Sequence, residues 1–162
     1  MTTPVYVLSA ARTPIGSFQG ELASLSAPEL GAHAIRHAVA ESGLDNEAIS
    51  EGIIGNVISA GLGQAPARQA LRLSGLPDSC AASTLNKVCG SGMKATMIAH
   101  DLIVAGSASA VVAGGMESMS NAPYLAPKAR GGLRMGHAEF KDSMFLDGLE
   151  DAETGGAMGA FA

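Results

Sequence analysis

The chain alternates between short apolar runs and longer segments in which apolar residues recur every three or four positions. Short apolar runs bounded by turn residues predict buried strands, and the wider spacing predicts amphipathic helices. The four predicted strands cover residues 5–9, 53–58, 81–85 and 108–113. Strand–helix alternation of this kind indicates a parallel, doubly wound α/β sheet with right-handed crossovers. In such sheets, ligands bind beyond the carboxyl ends of the strands.

Three helices are predicted between these strands. Ser26 and Glu29 have the spacing of a capping box, and Gly43 ends the helix that they open. The stripe expected to be buried on that helix consists of Leu30, Ala34, Ile35 and Ala38. A short helix is predicted over residues 67–73, and a long one runs from just after Cys89 to near Gly106. The apolar positions that predict this long helix are Met93, Met97, Ile98, Leu102 and Ile103.

Composition and charge narrow the class of protein. The 162 residues are 47% hydrophobic and 15% charged, which argues against disorder. The formal charge of −5 makes nucleic acids and anionic membranes unfavourable partners. No apolar run reaches the roughly 18 residues of a membrane helix, and no leader pattern opens the sequence, so a cytoplasmic location is expected. In that compartment Cys80 and Cys89 are expected to be free thiols rather than a disulfide.

Cys89 lies where a predicted strand ends and a helix begins. Gly90, Ser91 and Gly92 follow it, so a ligand could approach the backbone N–H groups of the first helical turn closely. Those N–H groups and the helix dipole would stabilise a thiolate. A lone cysteine is most often a buried structural residue. The order strand, Cys, Gly, Ser, Gly, helix nevertheless favours a reactive thiol.

Other polar residues admit two interpretations. Glu117 follows the fourth predicted strand and could be a general base, but a carboxylate held by loop N–H groups is the commoner case. Arg12 is expected to tie loop carbonyls together rather than to bind a ligand. His33 and His37 have the spacing of a metal-binding pair, yet no nearby ligand completes a site, so a solvated helix edge is favoured. The glycines of residues 61–66 only weakly match a dinucleotide-binding fingerprint, and we reject that reading.

One basic cluster stands out in this acidic chain, among the glycines that follow residue 127. It could be a solvated loop, a subunit contact or a phosphate site, and the residues by themselves favour these in that order. The cluster consists of Lys128, Arg130 and Arg134.

Residues 86–94, Asn-Lys-Val-Cys-Gly-Ser-Gly-Met-Lys, resemble the active-site stretch of the thiolases. Residues 11–16 and 114–120 match further motifs of that family, in the same order along the chain. Within the family, the likeness is to acetyl-CoA acetyltransferases and related 3-ketoacyl-CoA thiolases. The resemblance implies half of a five-layer αβαβα fold. Residues 1–120 would form the N-terminal half without its last strand, and 121–162 the truncated start of an inserted loop domain.

The resemblance also implies roles for residues. Cys89 would be the nucleophile that accepts an acyl group from acyl-CoA as a thioester, with oxyanion support from the backbone at Cys89 and Gly90. Met158 and Gly159 correspond to a Met-Gly pair near the pantetheine of the substrate. The preceding residue, often His in biosynthetic members, is Ala157 here. The loop with the basic cluster corresponds to a tetramer contact, which places subunit contact above phosphate site for that cluster.

The implied reaction is condensation of two acetyl-CoA molecules to acetoacetyl-CoA, or the reverse thiolysis. Acyl-CoA and coenzyme A would be the partners, with no separate cofactor and no metal, and the full-length protein would be a homotetramer (a dimer of dimers). The alternatives are a longer-chain 3-ketoacyl-CoA thiolase of β-oxidation, a decarboxylating ketoacyl synthase, and a non-catalytic lipid-carrier or interaction module. The family's Gly-His-Pro and Cys-x-Gly-Gly-Gly motifs do not occur in these 162 residues. We therefore expect no turnover from this chain alone.

Overall fold

The computed structural model of the protein describes residues 4–161. Its centre is a three-stranded parallel sheet in the order β2-β1-β3. The strands are β1 (Glu51–Gly55), β2 (Ala81–Leu85) and β3 (Val111–Gly115). The helices are α1 (Ala27–Ser42), α2 (Pro66–Ser74) and α3 (Ser91–Val104). This is the parallel, doubly wound α/β arrangement that the strand–helix alternation predicts.

The strand register shows which helix covers each face of the sheet. Gly52 lies directly against Leu71 of α2, where an added Cβ would come within 2.5 Å of the Leu71 side chain. Gly55, on the opposite face, lies against Ser91 of α3 in the same close manner. Helices α1 and α2 therefore pack on one face and α3 on the other. The central strand is covered on both sides, and its Ile53 and Ile54 are each 2% exposed.

Helix α1 begins and ends where the sequence predicts. The Ser26 side chain accepts from the Glu29 N–H, Glu29 bonds back to the Ser26 N–H, and Gly43 takes the left-handed conformation at the C-cap. The predicted buried stripe is correct at Ile35, whereas Leu30, Ala34 and Ala38 are only half-buried. The other residues of α1 that the fold buries are Ala27, Pro28, Gly31, Ala32 and Val39. Gly31 is closely packed, because a Cβ on it would meet Met116 Sδ at 2.7 Å.

Residues 5–9 do not form the buried strand that their apolar character predicts. Tyr6 and Val7 are 75% and 85% exposed, and the segment belongs to neither sheet. The Ser9 hydroxyl donates to the Ala38 carbonyl, which places the end of the segment beside α1. A strand exists only where a neighbour completes its hydrogen bonds. Within residues 4–161, residues 5–9 pair with no strand.

The last strand of the sheet begins three residues later and ends two residues later than predicted. The expectation was 108–113, whereas β3 spans Val111–Gly115 because it pairs in register with Glu51–Gly55 of β1. Gly114 and Gly115 are thus part of the strand. In α3, the prediction of a helix is correct, but Met93 and Met97 are 75% and 54% exposed, whereas Ala95 and Ala99 are buried. Only small side chains fit where α3 lies close to the sheet.

Residues after β3 form short elements. A two-stranded antiparallel ladder joins β4 (Tyr124–Leu125) to β5 (Lys141–Asp142), and a helical turn, Phe145–Leu149, follows. A further turn, Met158–Ala160, lies near the end of the described residues. No helix in the described range is both long and apolar enough to cross a membrane.

Candidate active site

A cleft of about 400 Å³ opens at the carboxyl end of the sheet. The loops that follow β1, β2 and β3 converge there, as expected for a parallel sheet. Residues from all three loops and from the turn Phe145–Leu149 line it, namely Gly55, Val57, Ile58, Val88, Cys89, Ser91, Gly92, Gly115, Met116, Glu117, Met119, Gly148 and Leu149. The structure thus brings Cys89 and Glu117 to one cleft, as the sequence predicts.

Cys89 lies in the tight connection between β2 and α3. The Gly90 N–H donates to the Lys87 carbonyl, and the Ser91 N–H donates to the Val88 carbonyl, so the chain reverses within one turn. Gly90 is the N-cap of α3. The Cys89 side chain is exposed and its thiol is free. The predicted position at a strand-to-helix junction is correct.

Cys89 and Gly90, the two residues expected to support an oxyanion, differ in the hydrogen bonding of their backbone N–H groups. The Gly90 N–H is engaged by Lys87 O at 3.1 Å. Among the described residues, no hydrogen bond uses the N–H of Cys89 itself. The Cys89 N–H is therefore the donor at this position that remains open to a ligand. Gly90 contributes its lack of a side chain.

The start of α3 lies unusually close to the ends of two strands. A Cβ on Gly55 would come within 2.6 Å of Ser91 Cβ and 3.0 Å of Gly92 N. Gly115, on the neighbouring strand β3, is also near the start of α3. An added Cβ on Gly115 would be 3.7 Å from Gly92 Cα. Glycine at position 55 is what allows the helix N-terminus, and Cys89 with it, to lie on the floor of the cleft.

Glu117 is an anchor for the cleft wall, which is the reading that the sequence favours. Its Oε2 accepts from the Val57 N–H at 2.8 Å, and its Oε1 accepts from the Ile58 N–H at 3.1 Å and from Asn56 Nδ2 at 2.7 Å. With both oxygens occupied, the carboxylate ties the loop after β1 to the loop after β3. Burial raises the pKa of Glu117, and the two backbone N–H bonds offset part of that rise. Asn56 is 2% exposed, and its Oδ1 has no hydrogen-bond partner among residues 4–161.

The two cysteines differ in their surroundings. Cys80 is 2% exposed and belongs to the apolar core under α1 and α2. Burial raises the pKa of the Cys80 thiol, and the charge of Glu51 acts in the same direction. Cys89 is exposed at the cleft, and both thiols are free. Cys80 is therefore a core residue, and Cys89 is the accessible thiol.

Met158 and Gly159 are not among the residues that line the cleft. They lie in the turn Met158–Ala160, and the preceding Ala157 forms a bridge with Glu150. Since Leu149 is part of the cleft lining, this bridge places the Met-Gly pair beside the segment that reaches the cleft. The basic cluster, Lys128, Arg130 and Arg134, is exposed and likewise outside the cleft lining.

The other candidate residues are on the surface. Arg12 is exposed, and no hydrogen bond of the described residues joins it to a loop carbonyl, so the expected anchor role is not seen. His33 and His37 are exposed on α1, and within residues 4–161 no group of three or more potential metal ligands comes together. The arginines of α2 pair with Asp78, at 3.0 Å from Arg72.

Sequence reasoning missed three polar residues of this site. Asn56 holds Glu117, the Asn86 Oδ1 accepts from the Val88 N–H at 2.9 Å, and the Ser91 hydroxyl bonds inside the turn at Cys89. A signal for Asn86 existed, since Asn side chains commonly bond to the backbone two residues on. Nothing local marks Asn56, whose role depends on a residue 61 positions later.

Comparison with known proteins identifies the family. The chain matches the family described as "Thiolase, N-terminal domain" over residues 5–162. It is 55% identical to an acetyl-CoA acetyltransferase of Pseudomonas aeruginosa over 91% of this chain and 38% of that protein. It is 51% identical to an acetyl-CoA acetyltransferase of Schizosaccharomyces pombe over 98% of this chain and 40% of that protein.

A solved structure is similar throughout. The crystal structure of the Acat5 thiolase from Ascaris suum in complex with coenzyme A matches with a TM-score of 0.91 and 47% identity, over 95% of this chain and 40% of that one. The chain thus spans about 40% of the length of these relatives. The motifs around Cys89, the sheet that positions them and these matches agree, and the chain belongs to the thiolase family.

Proposed function

We propose that this chain carries the acyl-accepting nucleophile of an acyl-CoA C-acyltransferase. The observation that supports this most directly is the free, exposed Cys89 thiol on the floor of the cleft. The thiolate of Cys89 attacks the thioester carbonyl carbon of an acyl-CoA. The resulting tetrahedral oxyanion accepts a hydrogen bond from the Cys89 N–H, the bond to the coenzyme A sulfur breaks, and coenzyme A leaves as its thiolate.

The acyl group then passes from Cys89 to the second substrate. In the condensing direction, a base outside these 162 residues takes a proton from the methyl group of a second acetyl-CoA. The resulting carbanion attacks the carbonyl carbon of acetyl-Cys89 and gives acetoacetyl-CoA, with the Cys89 thiolate as leaving group. In thiolysis the same steps run backwards. The relatives named above are acetyl-CoA acetyltransferases, which supports an acetyl group over a longer chain. Coenzyme A thioesters are substrates here, and we propose no separate cofactor.

Several parts of the proposal lie outside the cleft. Met158 and Gly159 would contact the pantetheine arm, supported by their place beside Glu150 and Leu149. Residues 121–162 would open a loop domain inserted after the N-terminal half at 1–120. The full-length protein would be a cytoplasmic homotetramer with the exposed basic cluster at a subunit contact.

The test of acyl transfer is a chimaera in which this chain replaces the matching part of the Pseudomonas aeruginosa relative. We expect the chimaera to cleave acetoacetyl-CoA with coenzyme A and, after acid quenching, to carry one acetyl group on the peptide that contains Cys89. Cys89→Ala should abolish both results, and Cys80→Ala should retain them. Activity that survives Cys89→Ala would contradict the proposal. The 162-residue chain alone should show no thiolysis.

A non-catalytic interaction module is the competing class. It predicts that the chimaera binds coenzyme A thioesters without breaking them. Equilibrium binding of acetyl-CoA, measured beside thiolysis on the same preparation, separates the two functions. The intact turn at Cys89, with an N–H left free beside the thiol, supports catalysis.

A further inference from the structure

The turn that carries Cys89 contains a strained residue. Val88 has a φ of +47°, in the left-handed region, which a β-branched side chain rarely adopts. Residues in such conformations persist only when surrounding contacts maintain them, and they concentrate at functional sites. Val88 immediately precedes Cys89, so the direction of the Cys89 side chain depends on this conformation.

The Ser91 hydroxyl supplies contacts that maintain it. Ser91 Oγ accepts from the Lys87 N–H at 2.8 Å and donates to the Val88 carbonyl at 2.6 Å. One hydroxyl group thus bonds both to the backbone N–H of Lys87 and to the backbone carbonyl of Val88. Asn86 Oδ1 adds a third bond, from the Val88 N–H at 2.9 Å.

The position of Ser91 is in turn determined by the sheet. Ser91 is 5% exposed, and its Cβ lies where only a glycine at position 55 leaves room for it. The hydroxyl is therefore held between β1 and the turn and has no access to alternative partners in solvent. This makes the serine a rigid link from the sheet to the strained turn.

We propose that Ser91 is a positioning residue for Cys89. It holds Val88 in the left-handed conformation, and this keeps the Cys89 thiol in the cleft beside the N-terminus of α3. The inference rests on the proposed function only in assigning Cys89 as the nucleophile. The link from Ser91 through Val88 to Cys89 is a property of this chain and can be tested without acyl transfer.

The experiment measures the rate at which iodoacetamide alkylates Cys89 in the folded 162-residue chain, followed by peptide mass spectrometry. Ser91→Ala is expected to slow alkylation about tenfold, because the strained turn loses the contacts that maintain it and the thiolate moves away from the helix N-terminus. Ser74→Ala is the matched control. Ser74 is also buried and donates at 2.6 Å to the carbonyl three residues earlier, but it lies in α2. Its removal should leave the Cys89 rate unchanged.

A second substitution tests the mechanism. Glycine adopts a positive φ without strain. In a Val88→Gly background, the further change Ser91→Ala should therefore alter the Cys89 rate by less than about twofold, because no strain remains to be maintained. If Ser91→Ala alone does not fold, this background still supplies the comparison. A large effect of Ser91→Ala that persists with Val88→Gly overturns the proposal.

Two further outcomes also decide the question. If Ser91→Ala and Ser74→Ala lower the melting temperature alike and neither changes the Cys89 rate, Ser91 is structural only and the proposal fails. If Ser91→Ala slows alkylation and Val88→Gly removes that effect, the proposal stands even where the chimaera transfers no acetyl group. Failure of the acyltransferase function and failure of the positioning role are thus distinguishable.

Discussion

Asn56 and Glu117 meet at the carboxyl end of the sheet, where Asn56 Nδ2 donates to Glu117 Oε1 at 2.7 Å. They follow the neighbouring strands β1 and β3, and the bond closes the wall of the cleft that faces Cys89. The carboxylate also accepts the N–H groups of Val57 and Ile58. A single glutamate therefore determines the path of the loop after β1.

Removal of this carboxylate should destabilise the fold. Glu117→Ala leaves the N–H groups of Val57 and Ile58 without an acceptor in a partly buried loop, and we expect a loss of about 1–3 kcal/mol in the free energy of unfolding. Urea denaturation at neutral pH measures it. Glu41→Ala, on the exposed side of α1, is the control and should change little. Equal stability of the two variants would show that the Glu117 bonds contribute nothing net.

The free energy of unfolding should fall as the pH rises, because the pKa of a buried carboxyl group is raised in the folded state. Burial raises the pKa of Glu117 above its ordinary value of 4.5, so the folded state holds a proton at pH values where the unfolded chain has lost it. The stability from this proton is fully present below pH 4.5 and is lost as the pH rises through the folded pKa. Unfolding free energies from pH 4.5 upwards should decline more in the wild type than in Glu117→Gln. A wild-type decline that is no steeper than that of Glu117→Gln would contradict this.

The two thiols should react in sequence. Cys89 is exposed and should be modified by a thiol reagent in the folded chain, whereas Cys80 is 2% exposed and should react only after unfolding. Ellman's reagent, with and without denaturant, counts the two populations. Cys89→Ser should remove the fast thiol and Cys80→Ser the slow one. Fast reaction in Cys89→Ser would mean that the core around Cys80 opens readily.

Gly55 and Gly114 should respond differently to an added methyl group. Gly55→Ala places a Cβ within 2.6 Å of Ser91 Cβ, and forced overpacking of this kind costs about 1–3 kcal/mol. Gly114, on the adjacent strand, has no atom within 4 Å of an added Cβ, so Gly114→Ala is the control. Thermal denaturation should show a lower midpoint for Gly55→Ala only. A comparable loss in both would indicate an effect of strand glycines in general.

The basic cluster can be tested for subunit contact in the chimaera. Substitution of Lys128, Arg130 and Arg134 by alanine should shift a tetramer towards dimers, as measured by size-exclusion chromatography with light scattering. The double substitution of Arg68 and Arg72, the α2 arginines that pair with Asp78, removes exposed cations elsewhere and should leave the tetramer intact. A tetramer that persists without these three side chains of the basic cluster would show that the cluster is a solvated loop rather than a subunit contact.

Much of the fold followed from local patterns. The capping box at Ser26 and Glu29 and the glycine at 43 lie where they were predicted, because each depends on neighbours within a few residues. The strand at 81–85 also lies where it was predicted, and it has a distant partner in β1. The strand predicted at 5–9 failed because strand formation needs a distant partner, and apolar character carries no information about whether one is present.

The sequence by itself determined the parallel α/β arrangement, the junction that carries Cys89 and the convergence of Cys89 and Glu117 at one edge of the sheet. These follow from the order of strands and helices and from short-range chemistry. Only the tertiary structure decided that the Gly90 N–H is engaged and that Asn56 holds Glu117. It also showed that Ser91 packs against Gly55 and donates a hydrogen bond to the carbonyl of the strained Val88. Such relationships depend on distances between segments far apart in the chain or on a backbone angle, and residue type alone does not specify either.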